Sequence, residues 1–153
     1  MKLGDVLKKE REKKGLSVSE VASRLKISEE EYREIEAGET AAESWGPRLA
    51  QIAIKLETPT SRLLAESGRF ADTQPGQAGG LIRGHRERRE LEPQDVAEYA
   101  GMSADEYQQV EAGGSELEKY GPLFLGFAEA IEQPVFNLFY PCGLPFQELD
   151  DYP

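Results

Sequence analysis

The chain repeats itself. At an offset of 75 residues, positions 4–65 fall on positions 79–140 without a gap. Leu16 meets Leu91, Val21-Ala22 meets Val96-Ala97, Ser28 meets Ser103 and Tyr32 meets Tyr107. Glu36-Ala37-Gly38 meets Glu111-Ala112-Gly113, and Trp45-Gly46-Pro47 meets Tyr120-Gly121-Pro122. Roughly 19 of about 62 aligned pairs are identical, the mark of a duplication. The period exceeds that of a solenoid repeat, so each copy reads as a small domain. The expected division is a first domain at 1–66, a linker at 67–80, a second domain at 81–140 and a tail at 141–153. Gly, Pro and Gln punctuate the linker, with Phe70 its one apolar exception. The tail holds three prolines and is expected to be irregular, offering Leu144, Phe146, Leu149 and Tyr152 to a surface groove.

Each copy has helical periodicity. Leu3, Val6 and Leu7 recur at helical spacing, and Gly15 suits a stop. Ser17-x-x-Glu20 and Ser28-x-x-Glu31 are capping boxes that open two short helices separated by a tight turn. A longer helix carries Leu49, Ile52, Ala53 and Leu56, and Pro59 starts a last turn. The predicted helices are 3–14, 18–25, 28–37, 45–57 and 60–66, repeated 75 residues later. The expected core is Leu7, Leu16, Val21, Ala22, Leu25, Ile27, Tyr32, Ile35, Ile52, Ala53, Leu56 and Leu63 with their equivalents.

Leu16-Ser17-x-x-Glu20-Val21-Ala22-x-x-Leu25-x-Ile27-Ser28-x-x-x-Tyr32-x-x-Ile35-Glu36-x-Gly38 resembles the lambda-repressor/Cro-like helix-turn-helix family, the XRE family. Leu91 to Gly113 matches the same pattern more loosely. The resemblance implies an all-α chain of two tandem five-helix domains of that kind. Both copies depart from the pattern ahead of the fourth helix. There Trp45-Gly46-Pro47 and Tyr120-Gly121-Pro122 are expected to turn the chain and plug a ring into the core; base stacking is the alternative role.

The resemblance further implies a DNA-binding transcriptional regulator, with the third helix in the major groove of double-stranded DNA. By position the contact candidates are Ser17, Ser28, Glu29, Glu30, Arg33 and Glu34 in the first copy, and Ser103, Gln108 and Gln109 in the second. The glutamines suit adenine, and a carboxylate can accept from cytosine N4 but repels phosphate. Lys8, Lys9, Arg11, Arg24 and Lys26 are candidates for phosphate contact; an ordinary charged helix face is the bland reading. Val18 and Pro93 stand where the family usually has a backbone-contacting Gln.

Charge pulls the other way. The net charge is −11, from 18 basic and 29 acidic residues. Residues 1–68 hold 12 basic and 13 acidic residues, and residues 69–153 hold 6 and 16. Phosphate neutralisation wants a basic footprint. The rival expectation is therefore a degenerate acidic pair of domains that acts through protein contacts without direct DNA binding. The second copy crowds Leu123, Phe124, Leu125, Phe127, Ile131, Val135, Phe136, Leu138, Phe139 and Tyr140 near its end. A domain that small cannot hide them all, so their cover is expected to be the first copy, the Leu144–Tyr152 tail or a second chain, with a homodimer or protein partner through an apolar surface favoured. With one Cys, Cys142, one His, His85, and no Gly-Lys-Ser/Thr loop, neither a disulfide, a metal, a cofactor nor an enzyme is expected. A cytoplasmic protein without a membrane span fits the composition.

Overall fold

A computed structural model describes residues 2–139, and its described regular structure is helical. The elements are α1 Leu3–Lys13, α2 Val18–Leu25, α3 Glu29–Glu36, α4 Ala42–Lys55, α5 Thr60–Leu64, a 3-10 turn Phe70–Asp72, α6 Gln77–Arg88, α7 Pro93–Tyr99, α8 Ala104–Ala112, α9 Leu117–Ile131 and a second 3-10 turn Val135–Leu138. None of the described helices is long and apolar enough to cross a membrane.

Within each repeat the first helix lies against the third so closely that only glycine fits. A Cβ on Gly4 would come within 2.3 Å of the Glu36 carbonyl oxygen, and one on Gly79 within 2.3 Å of that of Val110. The start of each fourth helix caps the first. Glu43 accepts from the amides of Leu3 and Gly4 at 3.0 and 2.9 Å. Glu118 accepts from those of Ala78 and Gly79 at 3.3 and 2.9 Å. A carboxylate there satisfies orphan amides and complements the positive end of the helix dipole.

The repeats complete each other. Helix α9 packs on α2 and α4, and α4 packs in turn on α7. Helix α5 packs on α6, and the second 3-10 turn packs on α1. Each such contact maps onto its counterpart at the repeat offset, so a pseudo-two-fold axis runs through the α4–α9 crossing. The glycines of the aromatic-Gly-Pro triplets admit the other repeat. A Cβ on Gly121 would meet Leu64 Cδ2 at 2.6 Å, and one on Gly46 would meet Phe139 Cε1 at 3.3 Å and Leu3 Cδ2 at 2.8 Å. Tyr32 stacks on Phe127 with ring centroids 6.5 Å apart and planes 16° apart. One continuous apolar core contains side chains of both copies.

Several sequence expectations are corrected by this packing. Trp45-Gly46-Pro47 does not turn the chain: the triplet lies inside α4, which begins at Ala42. Pro47 forgoes one helical hydrogen bond there, and packing overrides its propensity. Trp45 and Tyr120 are buried anchors, as expected. Among the described residues, a 3-10 turn, Val135–Leu138, stands where a fifth α-helix is expected to begin in the second repeat. Helix α6 starts at Gln77, inside the segment 67–80 expected to be linker, because Gly79 lets it close on α8. Leu16 and Ile27 are only partly buried at the core edge. Of the residues expected to form an apolar surface, Leu123, Phe124, Leu125, Phe127, Ile131, Val135, Leu138 and Phe139 are buried among the described residues, covered within the chain by the first copy as well as their own. Expectations for the Phe136 side chain, Tyr140 and the tail at 141–153 lie outside the described residues.

Candidate nucleic-acid interface

Helices α2 and α3 are started by their serines. Ser17 Oγ accepts from the Glu20 amide at 3.0 Å, and Glu20 Oε1 accepts from the Ser17 amide at 3.2 Å. Ser28 Oγ accepts from the Glu31 amide at 3.1 Å. The second half of the box expected at Ser28 is not formed, because the Glu31 carboxylate pairs instead with Lys119 Nζ at 2.7 Å. In the second repeat the Ser103–Glu106 box is complete, at 3.1 and 3.0 Å. Lys26 ends α2 in the left-handed region, φ 61°, and Gly101 does the same work after α7 at φ 69°. These turns set the angle between the second and third helices of each repeat.

The third helices present exposed faces. Ser28, Glu29, Glu30, Arg33 and Glu34 are exposed together on α3. Arg33 Nη1 lies 3.5 Å from Glu29 Oε2, so the one cation on that face is shared with a carboxylate. On α8, Gln108 and Gln109 are exposed, with Gln109 folded back over Gly114, where a Cβ would meet its Oε1 at 2.7 Å. Lys8, Lys9 and Lys26 are also exposed. Lys8 and Lys9 line a shallow depression with Asp5, Glu12 and Lys13, all of them on α1. Arg24 is exposed and donates to the Ala130 carbonyl of the other repeat at 3.4 Å.

Arg11, a phosphate-contact candidate, is engaged within the fold. Its side chain is 11% exposed and held by a bidentate pair with Glu36, Nε to Oε2 at 2.6 Å and Nη2 to Oε1 at 3.2 Å. Nη1 donates to the Leu16 carbonyl at 2.9 Å. The second repeat copies the clamp: Arg86 Nε to Glu111 Oε2 at 2.6 Å, Nη2 to Oε1 at 3.0 Å, and Nη1 to the Leu91 carbonyl at 2.9 Å. The hydrogen bond to the glutamate holds each guanidinium above its ordinary pKa. Beside each pair a tyrosine hydroxyl, Tyr32 or Tyr107, is buried, and burial, then the neighbouring Glu36 or Glu111 carboxylate, pushes its pKa well up. A fork against a carboxylate is the strong geometry for such a pair. Sequence carried the signal for this clamp: arginine and glutamate are identical at the repeat offset, 25 residues apart in each copy.

Each third helix is also tied to the other repeat. Glu31 reaches Lys119 on α9, and its equivalent Glu106 reaches Arg48 Nη2 on α4 at 3.0 Å. The Glu31 hydrogen bond raises the Lys119 pKa. The Ser103 backbone amide, then its hydroxyl and Arg48, lower that of Glu106. Exposed pairs of this kind are screened by solvent and add little stability, so their effect is on orientation.

Residues 2–60, from the start of α1 to the start of α5, match the family model described as "Helix-turn-helix domain". The chain thus has an N-terminal helix-turn-helix domain. No curated protein and no solved structure matches it.

Proposed function

We propose that the chain is a DNA-binding transcriptional regulator of the XRE type, built as a pseudo-dimer within one polypeptide. In this reading α6–α9 form a second helix-turn-helix unit. The observation that carries it is the pseudo-two-fold packing, in which each repeat keeps an exposed third helix while the shared core holds the two in fixed relation. Helix-turn-helix proteins commonly meet two-fold operators as dimers, and a fused pair supplies that symmetry without self-association. Lys8, Lys9 and Lys26 would contact phosphates. Arg33, Gln108 and Gln109 would face base edges, and Glu29, Glu30 and Glu34 would accept only from cytosine and repel misplaced backbone. An electrophoretic shift with random duplex at low salt tests it. With about three phosphate contacts, log affinity should fall with log salt at a slope of about −2.7. No shift at low salt and micromolar protein would refute the reading.

A second reading has its own support: the acidic α3 face together with the withdrawal of Arg11 into its clamp. On that reading the exposed carboxylates bind a basic protein surface and DNA is not touched. Replacing Glu29, Glu30 and Glu34 by Gln separates the two. The triple substitution strengthens duplex binding if DNA is the target, and weakens capture of a basic partner if protein is.

A further inference from the structure

The last turns of α1 and α6 are equivalent positions that have diverged. Glu10, Lys13 and Lys14 in the first repeat correspond to His85, Arg88 and Arg89 in the second. In the first repeat the cations are neutralised: Lys13 Nζ lies 3.3 Å from Glu10 Oε1, and Lys14 Nζ lies 2.8 Å from Glu132 Oε2. In the second, the place of Glu10 is taken by His85. The place of Glu132 is taken by Glu57, which offers Arg89 Nη2 its backbone carbonyl at 3.5 Å. The place of Asn137 is taken by Arg62, whose guanidinium donates to the Glu66 carbonyl. Arg88 Nη2 lies 2.9 Å from His85 Nδ1, and Arg89 Nη1 donates to the His85 carbonyl at 3.1 Å. Among the described residues, no ion pair engages Arg62, Arg88 or Arg89. Arg83, one turn earlier, has Glu87 at 3.6 Å.

Cations at a helix C-terminus are favoured by the dipole. That explains Lys13 and Lys14 as well as Arg88 and Arg89. It does not explain why His85 stands where the first copy has a neutralising glutamate, nor why Arg62, from the first copy, holds the position on the neighbouring α5 whose equivalent is the neutral Asn137. In a chain of net charge −11, the Arg88 and Arg89 guanidiniums, bonded to the His85 ring and to backbone carbonyls, are local charges of opposite sign to the whole.

We propose that the end of α6, where it meets α5 of the first repeat, is a binding site for a phosphate group, with Arg88, Arg89 and His85 at its centre and Arg62 at its edge. Guanidinium forks match phosphate oxygens in pairs, and they keep their charge at every working pH. His85 adds a response to pH. Its pKa is held below the ordinary histidine value by burial, then by Arg88 and Arg89, with the Arg62 backbone opposing. Arg88 and Arg89 on α6, Arg62 on α5 and Glu57 at the end of α4 are the groups around it. An Arg88 donor beside Nδ1 favours the neutral ring with its proton on Nε2. A bound phosphate attracts the Arg88 fork and favours protonation of the ring, which then donates as well. For a phosphate group whose own charge is constant, such as a diester, binding is therefore tighter as pH falls through the histidine range.

His85 is the only histidine, so its ring resonances identify themselves. The full chain is titrated with inorganic phosphate and, at matched ionic strength, with chloride. The expected result is a saturable phosphate-specific shift and a rise in the His85 pKa of about one unit. R88Q/R89Q removes both, whereas K13Q/K14Q in the neutralised first copy keeps them. H85E, which restores the first copy's carboxylate, lowers phosphate affinity by calorimetry at least tenfold; circular dichroism checks folding. Equal shifts in chloride, or survival of the response in R88Q/R89Q, overturn the proposal. A duplex without terminal phosphates that gives the shift at far lower concentration identifies the source as a nucleic-acid diester. A response to inorganic phosphate alone identifies a small phosphate compound. This site stands or falls separately from the DNA reading, which is judged by the duplex shift and the Lys8/Lys9 face.

Discussion

Replacing Phe127 by Ala tests whether the two repeats share one core. Phe127 is on α9, in the second repeat, and is 1% exposed. Its ring stacks on Tyr32 of the first repeat. Leu7, Leu25 and Ile35 of the first repeat face Leu123, Phe124 and Phe127 across the same small apolar gap. Truncating a buried Phe costs about 3–5 kcal/mol, from lost transfer energy and the cavity left behind. With a urea m-value of about 2 kcal/mol/M for a chain of this size, the midpoint should fall by about 2 M. The assay has a built-in reporter, because Trp45 is the only tryptophan and belongs to the first repeat. Urea unfolding is followed by Trp45 fluorescence and by far-ultraviolet circular dichroism. Both signals should shift together as one cooperative transition. A Trp45 transition that stays in place while the circular dichroism splits in two would refute the shared core, since the first repeat would then be stable alone.

Three further outcomes follow from the geometry. Glu36→Gln leaves the largely buried Arg11 guanidinium without its carboxylate and should cost about 3–5 kcal/mol, measured by the same unfolding; Glu111→Gln should match it, being the same clamp. Lys8→Glu with Lys9→Glu should weaken binding to every duplex and flatten the salt slope by about 1.8, and an unchanged slope would remove this face from the DNA reading. His85 has a folded pKa below its unfolded value, so the unfolded chain binds the extra proton. Its contribution to stability is full above the ordinary histidine pKa and is lost as pH falls through the lowered folded value; His85→Gln should remove that slope from a melting-versus-pH series.

The sequence alone was enough to read the repeat, the order of the helices, and the serines that start α2 and α3. These are local properties. Apolar residues at helical spacing mark a buried face whatever covers it, and a serine followed three residues later by a carboxylate satisfies amides within its own turn. Ser17 and Glu20 therefore do what their spacing implies. What covers each face was decided by the tertiary structure. Phe124, Phe127 and Phe139 read as surplus in a small domain, yet they complete the other repeat's core through the α4–α9 crossing. Arg11 sits among lysines in the sequence and looked free for phosphate, but its partner Glu36 is brought in by the crossing of α1 and α3 at Gly4. Gly46 and Pro47 carry turn propensities that a shared core outweighs, because Leu3 and Phe139 pack where a side chain would stand. Periodicity says that a face is hidden; only the long-range packing says which residues hide it, and so which charges remain outside to meet a partner.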